Sequence, residues 1–261
     1  MNSLKIITLN HDQITSYIEE CFPNLIQPQQ LYDPSFNDLK NKLKLIHPLH
    51  YGQSRNHLNG SITHLSRYIS SGLISTIEVI DYCVDHFGYE ASLPLIKQLL
   101  WRIYFKHKLH TYPYLSFQNM DCYKTGLQDE DYSKHLPNDI MKGETSNKII
   151  NVFIHTLINT GYLHNHARLY LSSYIIHFRR IHWKTGADWM FNHLVDADIA
   201  SNYCSWQWVA STGSSKPYLF NLENISKFAH QGLPISPKDN PELLGSYEDI
   251  AQRCFDKKGV L

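Results

Sequence analysis

Apolar residues recur at spacings of three and four through most of this chain, a periodicity that restricts it to helix-on-helix packing. Leu73, Ile77, Ile80, Val84 and Phe87 share a helical face over 73–87, and Leu93, Ile96, Leu99, Leu100, Ile103 and Tyr104 do so over 93–104. The alternation that marks a half-buried strand is weak throughout, so the expected fold class is all-α. With 261 residues and 43% apolar content, one sizeable core can form, and residues 1–261 are read as a single helical domain. Segments 24–34 and 112–147 are rich in Pro, Asn, Asp, Gly and Ser and read as long connections, where ligands often sit. The tail over 232–241 carries three prolines and leads to a short amphipathic helix near Tyr247 to Phe255.

Charge and cysteine usage narrow the class. Lys plus Arg and Asp plus Glu both count 24, so no global field recruits nucleic acid or an anionic membrane, and any DNA contact rests on a local patch. Cys21, Cys83, Cys122, Cys204 and Cys254 are odd in number and scattered, which fits reduced thiols rather than a disulfide framework or a zinc site. The N-terminus lacks the pattern of a secretory leader, and no apolar run reaches the length of a membrane span. A soluble, cytoplasmic protein with no metal and no membrane partner is expected.

The chemistry is concentrated in residues 160–213. That stretch holds His164-Asn165, Arg168, Trp183, Asp196, Asp198, Asn202 and Trp206-Gln207-Trp208, more amide, carboxylate and indole groups than an ordinary core segment carries. If 162–178 is one helix, Leu163, Ala167, Tyr170, Leu171, Tyr174 and Phe178 share an apolar face, and Asn165, Arg168 and Ser172 fall on the opposite side. In isolation such a polar stripe is a solvated face. A second cluster changes the balance: Asp198 and Asn202 are separated by four residues, and Trp206 lies one more helical step along. A cation on one helix and carboxylates on the next must pair if buried, because an unpaired interior charge costs several kcal/mol.

The order and spacing of these groups resemble the flavin pocket of the photolyase and cryptochrome family. The resemblance covers residues 46–230, with 1–45 as a leading helical segment and 231–261 as a short tail, and it implies an FAD cofactor. It sets Arg168 and Asp196 as an ion pair beside the isoalloxazine, Asp198 at the pyrimidine edge, Asn165 as an amide contact and Asn202 facing flavin N5. An amide there accepts from N5–H and has no easily lost proton, a choice that favours repair chemistry. Tyr51 and the run Ser61-Ile62-Thr63-His64-Leu65-Ser66 resemble the pyrophosphate cradle, although Ile62 and His64 stand where the family commonly has Thr and Arg. Without the family, a Ser/Thr cluster before a helix is an N-cap.

The same resemblance supplies a substrate face and an electron route. Trp101-Arg102 and Trp208 match the indoles that wall the dimer cavity and the arginine beside the cofactor; Arg55-Asn56 match the pair beside the lesion, and His166 joins them. Buried structural tryptophans are the alternative for Trp101 and Trp208. Gln98 replaces a Glu, and His166 and Leu169 replace Arg and Met. Trp206 and Trp183 keep the proximal and middle places of a tryptophan row, whereas Ile140 occupies the distal one; Trp189 or a tyrosine could stand in for it, with structural aromatic packing as the preferred role of Trp189. A basic run over 177–184 offers phosphate contacts or a solvated helix end. An antenna domain and its pigment are not expected.

Three functions follow. In the first, a photolyase-type lyase, reduced and light-excited FAD gives an electron to a pyrimidine dimer in damaged DNA, single-stranded DNA included; Gln98, Trp101, Trp208 and Asn202 are its catalytic candidates. The second is a cryptochrome-like blue-light sensor acting on a signalling protein, and the third a flavoprotein that has lost both tasks.

Overall fold

The computed structural model describes residues 36–256, so the leading segment before residue 36 and the connection read at 24–34 lie outside the described residues. The architecture is a stack of helices: α1 Phe36–Lys44, α2 Pro48–Ser54, α3 Ser66–Ser70, α4 Thr76–Phe87, α5 Tyr89–Thr111, α6 Asn138–Lys142, α7 Lys148–Thr160, α8 Asn165–Ser173, α9 Trp183–His193, α10 Ile199–Ala210, α11 Leu222–Phe228 and α12 Tyr247–Phe255. Among the described residues extended pairing is limited to one isolated bridge, Ser133 to Ile181.

Local chemistry sets the boundaries. The apolar repeat begins at Leu73, but α4 starts at Thr76 because Ser75 forms a capping box: its Oγ accepts from the Glu78 N–H (3.1 Å) and its own N–H donates to Glu78 (2.7 Å). Gly88, at φ +80°, turns the chain directly into α5. The helix anticipated over 162–178 begins later, at Asn165, with His164 as N-cap, and its last turn widens into a π-turn over Tyr174–Phe178. Segment 112–147 holds two 3₁₀ turns, at Pro113–Ser116 and Asp129–Asp131, and the short α6. The expected helix at Tyr247–Phe255 is present and has its own Ser246/Asp249 capping box.

Two apolar cores form. The smaller gathers Leu39, Leu65, Tyr68, Val79, Leu95 and Leu99. The larger gathers Ile140, Phe153, Leu171, Trp183, Trp206 and Phe220. Residues of both cores line one cavity of about 520 Å³ between them, a size typical of cofactor sites.

Candidate functional site

Arg168 and Asp196 anchor the cavity wall. Arg168 Nη2 donates to both carboxylate oxygens of Asp196 at 2.9 Å, and its Nε donates to the Leu163 carbonyl at 2.8 Å. The Asp196 side chain is only 2% exposed, and Ser66 Oγ gives it a further bond at 2.5 Å. Burial alone would raise the Asp196 carboxyl, but Arg168, Ser66 and Arg102 overcome it and hold the group below the ordinary carboxylate range. The guanidinium also lies 5.5 Å from the centre of the Tyr162 ring.

A second ion pair lines the cavity. Arg102 of α5 reaches Asp198 at 3.1 Å, and Lys106 lies 3.6 Å from the same oxygen. Asp198 sits at the N-cap of α10 rather than within it, where Oδ1 accepts from the Ser201 N–H at 2.8 Å. Its carboxyl is lowered despite burial, through Arg102 and the Ser201 bonds. One turn on, Asn202 Nδ2 donates to the Ala187 carbonyl at 2.9 Å. A carbonyl partner must face the NH₂ group, so this bond fixes the amide orientation and leaves Oδ1 as an acceptor on a side chain that lines the cavity.

The hydroxyl-rich loop before α3 forms another wall. Ile62, Thr63, His64, Leu65 and Ser66 line the cavity together with Tyr51; Ser61 is not among the lining residues, and its backbone N–H bonds to Ser54 Oγ at 2.9 Å. His64 adopts φ +53°, a left-handed conformation that turns the loop and that His tolerates better than a branched residue. Burial, with help from Lys42 and Arg67, lowers its pKa, so no fixed cation stands there.

At the mouth, Trp101 and Trp208 are 51% and 39% exposed and line the cavity together with Arg55, Asn56, Gln98 and Asn165. His166 departs from its expected place at the lesion face. It is buried behind the wall, one ring nitrogen 2.6 Å from the Asn56 carbonyl and the other 3.2 Å from the Tyr218 hydroxyl. Tyr218 in turn packs on Trp208 at 5.8 Å. The basic run is spent internally: His177 is buried, Arg179 pairs with Asp139, His182 lies 3.2 Å from Asp129 and Lys184 pairs with Asp188.

Trp206 lines the cavity, and Trp183 is buried beyond it, its indole N–H donating to Asn119 at 2.6 Å. Gln207, between the two tryptophans of the motif, was not among the sequence candidates. Buried, it donates to the Leu115 and Gln118 carbonyls and accepts from the Met120 N–H, which ties the long 112–147 connection to α10.

The cavity suits a polar ligand. Three residues on its wall hold buried donors with no protein partner, Arg102 Nε, Ser201 Oγ and Trp206 Nε1, an arrangement that a polar ligand relieves. A family model described as the FAD binding domain of DNA photolyase matches residues 95–232. The chain belongs to this photolyase family. FAD is its cofactor, and the photolyase-type residues found here fit it. The deoxyribodipyrimidine photo-lyase of Buchnera aphidicola subsp. Acyrthosiphon pisum is 31% identical over 192 residues, 69% of this chain and 39% of the relative. The Escherichia coli deoxyribodipyrimidine photo-lyase is 28% identical over 142 residues, 52% of this chain and 30% of the relative. The chain thus spans less than half the length of these curated relatives. A class III photolyase from Agrobacterium tumefaciens superimposes with a TM-score of 0.65 at 25% identity, over 82% of this chain and 46% of that one. The Synechocystis sp. PCC6803 cryptochrome gives 0.70 at 19% identity, over 88% and 54%, and so shares the photolyase fold. No described helix is long and apolar enough to cross a membrane.

Proposed function

We propose that this photolyase-family chain uses bound FAD and blue light to split pyrimidine dimers in DNA. The observation that carries this reading is that the two part-exposed indoles, Trp101 and Trp208, line the same cavity as Asn202 and the Arg168–Asp196 pair. Bound FAD supplies light absorption and the transferred electron. The chain supplies the rest. Tyr51, Thr63, His64 and Leu65 would hold the phosphate end, Ser66 braces Asp196, and Arg102, Asn165, Arg168, Asp196 and Asp198 would hold the ring. The free amide oxygen of Asn202 would accept from a ring N–H such as N5–H of the cofactor. Trp101 and Trp208 sandwich a flipped dimer, with Arg55 and Asn56 beside it, and each stacking contact contributes about 1–3 kcal/mol. Gln98 bonds to a base carbonyl but carries no acidic proton.

That neutral Gln98, on a cavity-lining position, favours the second reading, a blue-light sensor that keeps the pocket and signals to a protein partner. Incubating FAD-loaded protein with UV-damaged single- and double-stranded DNA, in light and in darkness, separates the two. Light-dependent loss of dimers is expected. No loss on either form overturns repair and leaves the sensor.

A further inference from the structure

The outer face of α5 carries a feature that the cavity does not use. Between Glu90 and Asp121 the sequence holds four Lys or Arg residues and no Asp or Glu, on a chain whose net charge is zero, so a local positive patch stands against a neutral background. At 3.6 residues per turn Lys97, Trp101, Tyr104 and Lys108 fall within one narrow stripe of the helix. Trp101 belongs to the cavity mouth, whereas Lys97, Tyr104 and Lys108 lie outside the cavity lining. Tyr104 is 47% exposed, and its ring is braced edge-on by Trp101 at 5.6 Å. Lys108 Nζ lies 5.8 Å from the centre of the same ring. Among the described residues neither Lys97 nor Lys108 pairs with a carboxylate, in contrast to Lys106, which lies 3.6 Å from Asp198.

We propose that this face of α5 is a ridge for single-stranded DNA that continues from the cavity mouth, with the Tyr104 ring stacking on an unpaired base beside the lesion and Lys97 and Lys108 holding the phosphates that flank it. The inference deepens the repair reading and rests on it for the choice of DNA. Three features select the occupant. An exposed ring stacks on the face of a base, and only a strand with unpaired bases offers such a face; the phosphates of a duplex would engage the lysines and leave the ring unused. A protein partner is a poorer match, because interface cores are depleted in lysine and this stripe begins and ends with one. Continuity is the third feature: Trp101 belongs to both the mouth and the stripe, so a strand that delivers a base to the cavity leads directly onto Tyr104. The ammonium near the Tyr104 ring is no obstacle. An exposed cation–π contact is weaker than a base–aromatic stack, so a base takes the ring and Lys108 turns to the adjacent phosphate.

Fluorescence anisotropy of the FAD-loaded protein with an undamaged, labelled oligonucleotide, in darkness and in single- and double-stranded form, tests the ridge apart from the repair chemistry. The parent is expected to favour the single strand. Tyr104→Ala is expected to weaken single-strand binding about 5- to 150-fold, the loss of one stacked base, with duplex binding unchanged, and Tyr104→Phe to retain the parent's affinity. Replacing Lys97 and Lys108 together by Gln is expected to flatten the slope of log K against log salt by about 1.4, the value for two phosphates of a single strand. A Tyr104→Ala variant that binds the single strand as the parent does, or a parent that binds duplex at least as tightly, overturns the ridge whether or not dimers are repaired. Tyr104-dependent single-strand binding in a parent that repairs no dimers under light sustains the ridge and overturns the repair reading instead. Bound FAD content and thermal unfolding of each variant identify any loss that comes from misfolding.

Discussion

Asp196 is where a single side chain carries the most structural weight. It is buried, ionised and paired with Arg168 while bonded to Ser66. Breaking a buried pair from one side leaves the other charge uncompensated and costs about 3–5 kcal/mol, so Asp196→Ala is expected to lower the urea midpoint by a corresponding amount and to release FAD. The sign with pH follows from the depressed carboxyl. Its stabilisation is complete above the unfolded value of about 3.9 and disappears as pH falls through the lower folded value. The variant should therefore lose part of the acid limb of the stability profile. His177 acts in the same direction but at higher pH. Burial lowers it from 6.5 to about 4, with a single bond to the Val209 carbonyl. Between those values the unfolded chain binds the proton and the folded one does not, so stability falls as pH drops from 6.5 toward 4, by an amount on the order of 3 kcal/mol. Urea titrations at stepped pH should show that slope flattened in His177→Gln. The need of Arg168 for a carboxylate was legible in the sequence, because buried charge demands a partner. The identity of the second pair was not, since Arg102 and Asp198 lie 96 positions apart and no local pattern links them.

Among the elements, α9 and α10 define the cavity through one close approach. A Cβ on Gly186 would lie 2.3 Å from the Trp206 ring, so Gly186→Ala must displace the indole or the helix. Overpacking of this kind costs about 1–3 kcal/mol, against a gain of at most about 1 kcal/mol from replacing glycine within a helix. Net destabilisation is expected, together with a shift in flavin absorbance, and equilibrium unfolding with an absorbance scan checks both. Helix existence was legible from the apolar spacing of 73–87 and 93–104, and α4 and α5 occupy those segments. Their ends were set by capping and by Gly88, and the start of α4 at Thr76 came from Ser75 and Glu78 rather than from periodicity. The π-turn at Tyr174–Phe178 escaped sequence reading because it changes the backbone bonding without interrupting the run of apolar residues. Ser61 and His166 show the same limit at single positions. Motif order places a residue near a site, but which side of the wall its side chain takes depends on packing partners, as Asn56 and Tyr218 show for His166.

For the whole molecule, the cavity lies where two separate cores meet, so both halves of the fold contribute walls and neither alone encloses it. Its mouth is aromatic, while the chain as a whole carries no net charge. On the proposed repair reading, recognition of damaged DNA then depends on stacking in the cavity more than on a global positive field, and its salt dependence should be shallow. Trp101→Ala is expected to weaken binding of a dimer-containing oligonucleotide by about 1–3 kcal/mol, one stacking contact, while leaving FAD in place. Because Gln98 accepts and donates hydrogen bonds but holds no acidic proton, Gln98→Glu should raise the light-dependent repair yield with little change in affinity. Fluorescence anisotropy of labelled oligonucleotides and dimer counts after illumination measure the two quantities separately. A Trp101→Ala variant that binds damaged DNA as the parent does would remove the indole sandwich from the mechanism. If parent and Gln98→Glu both leave dimers intact under light, repair is excluded, and the readings left are the light sensor and a flavoprotein without either task.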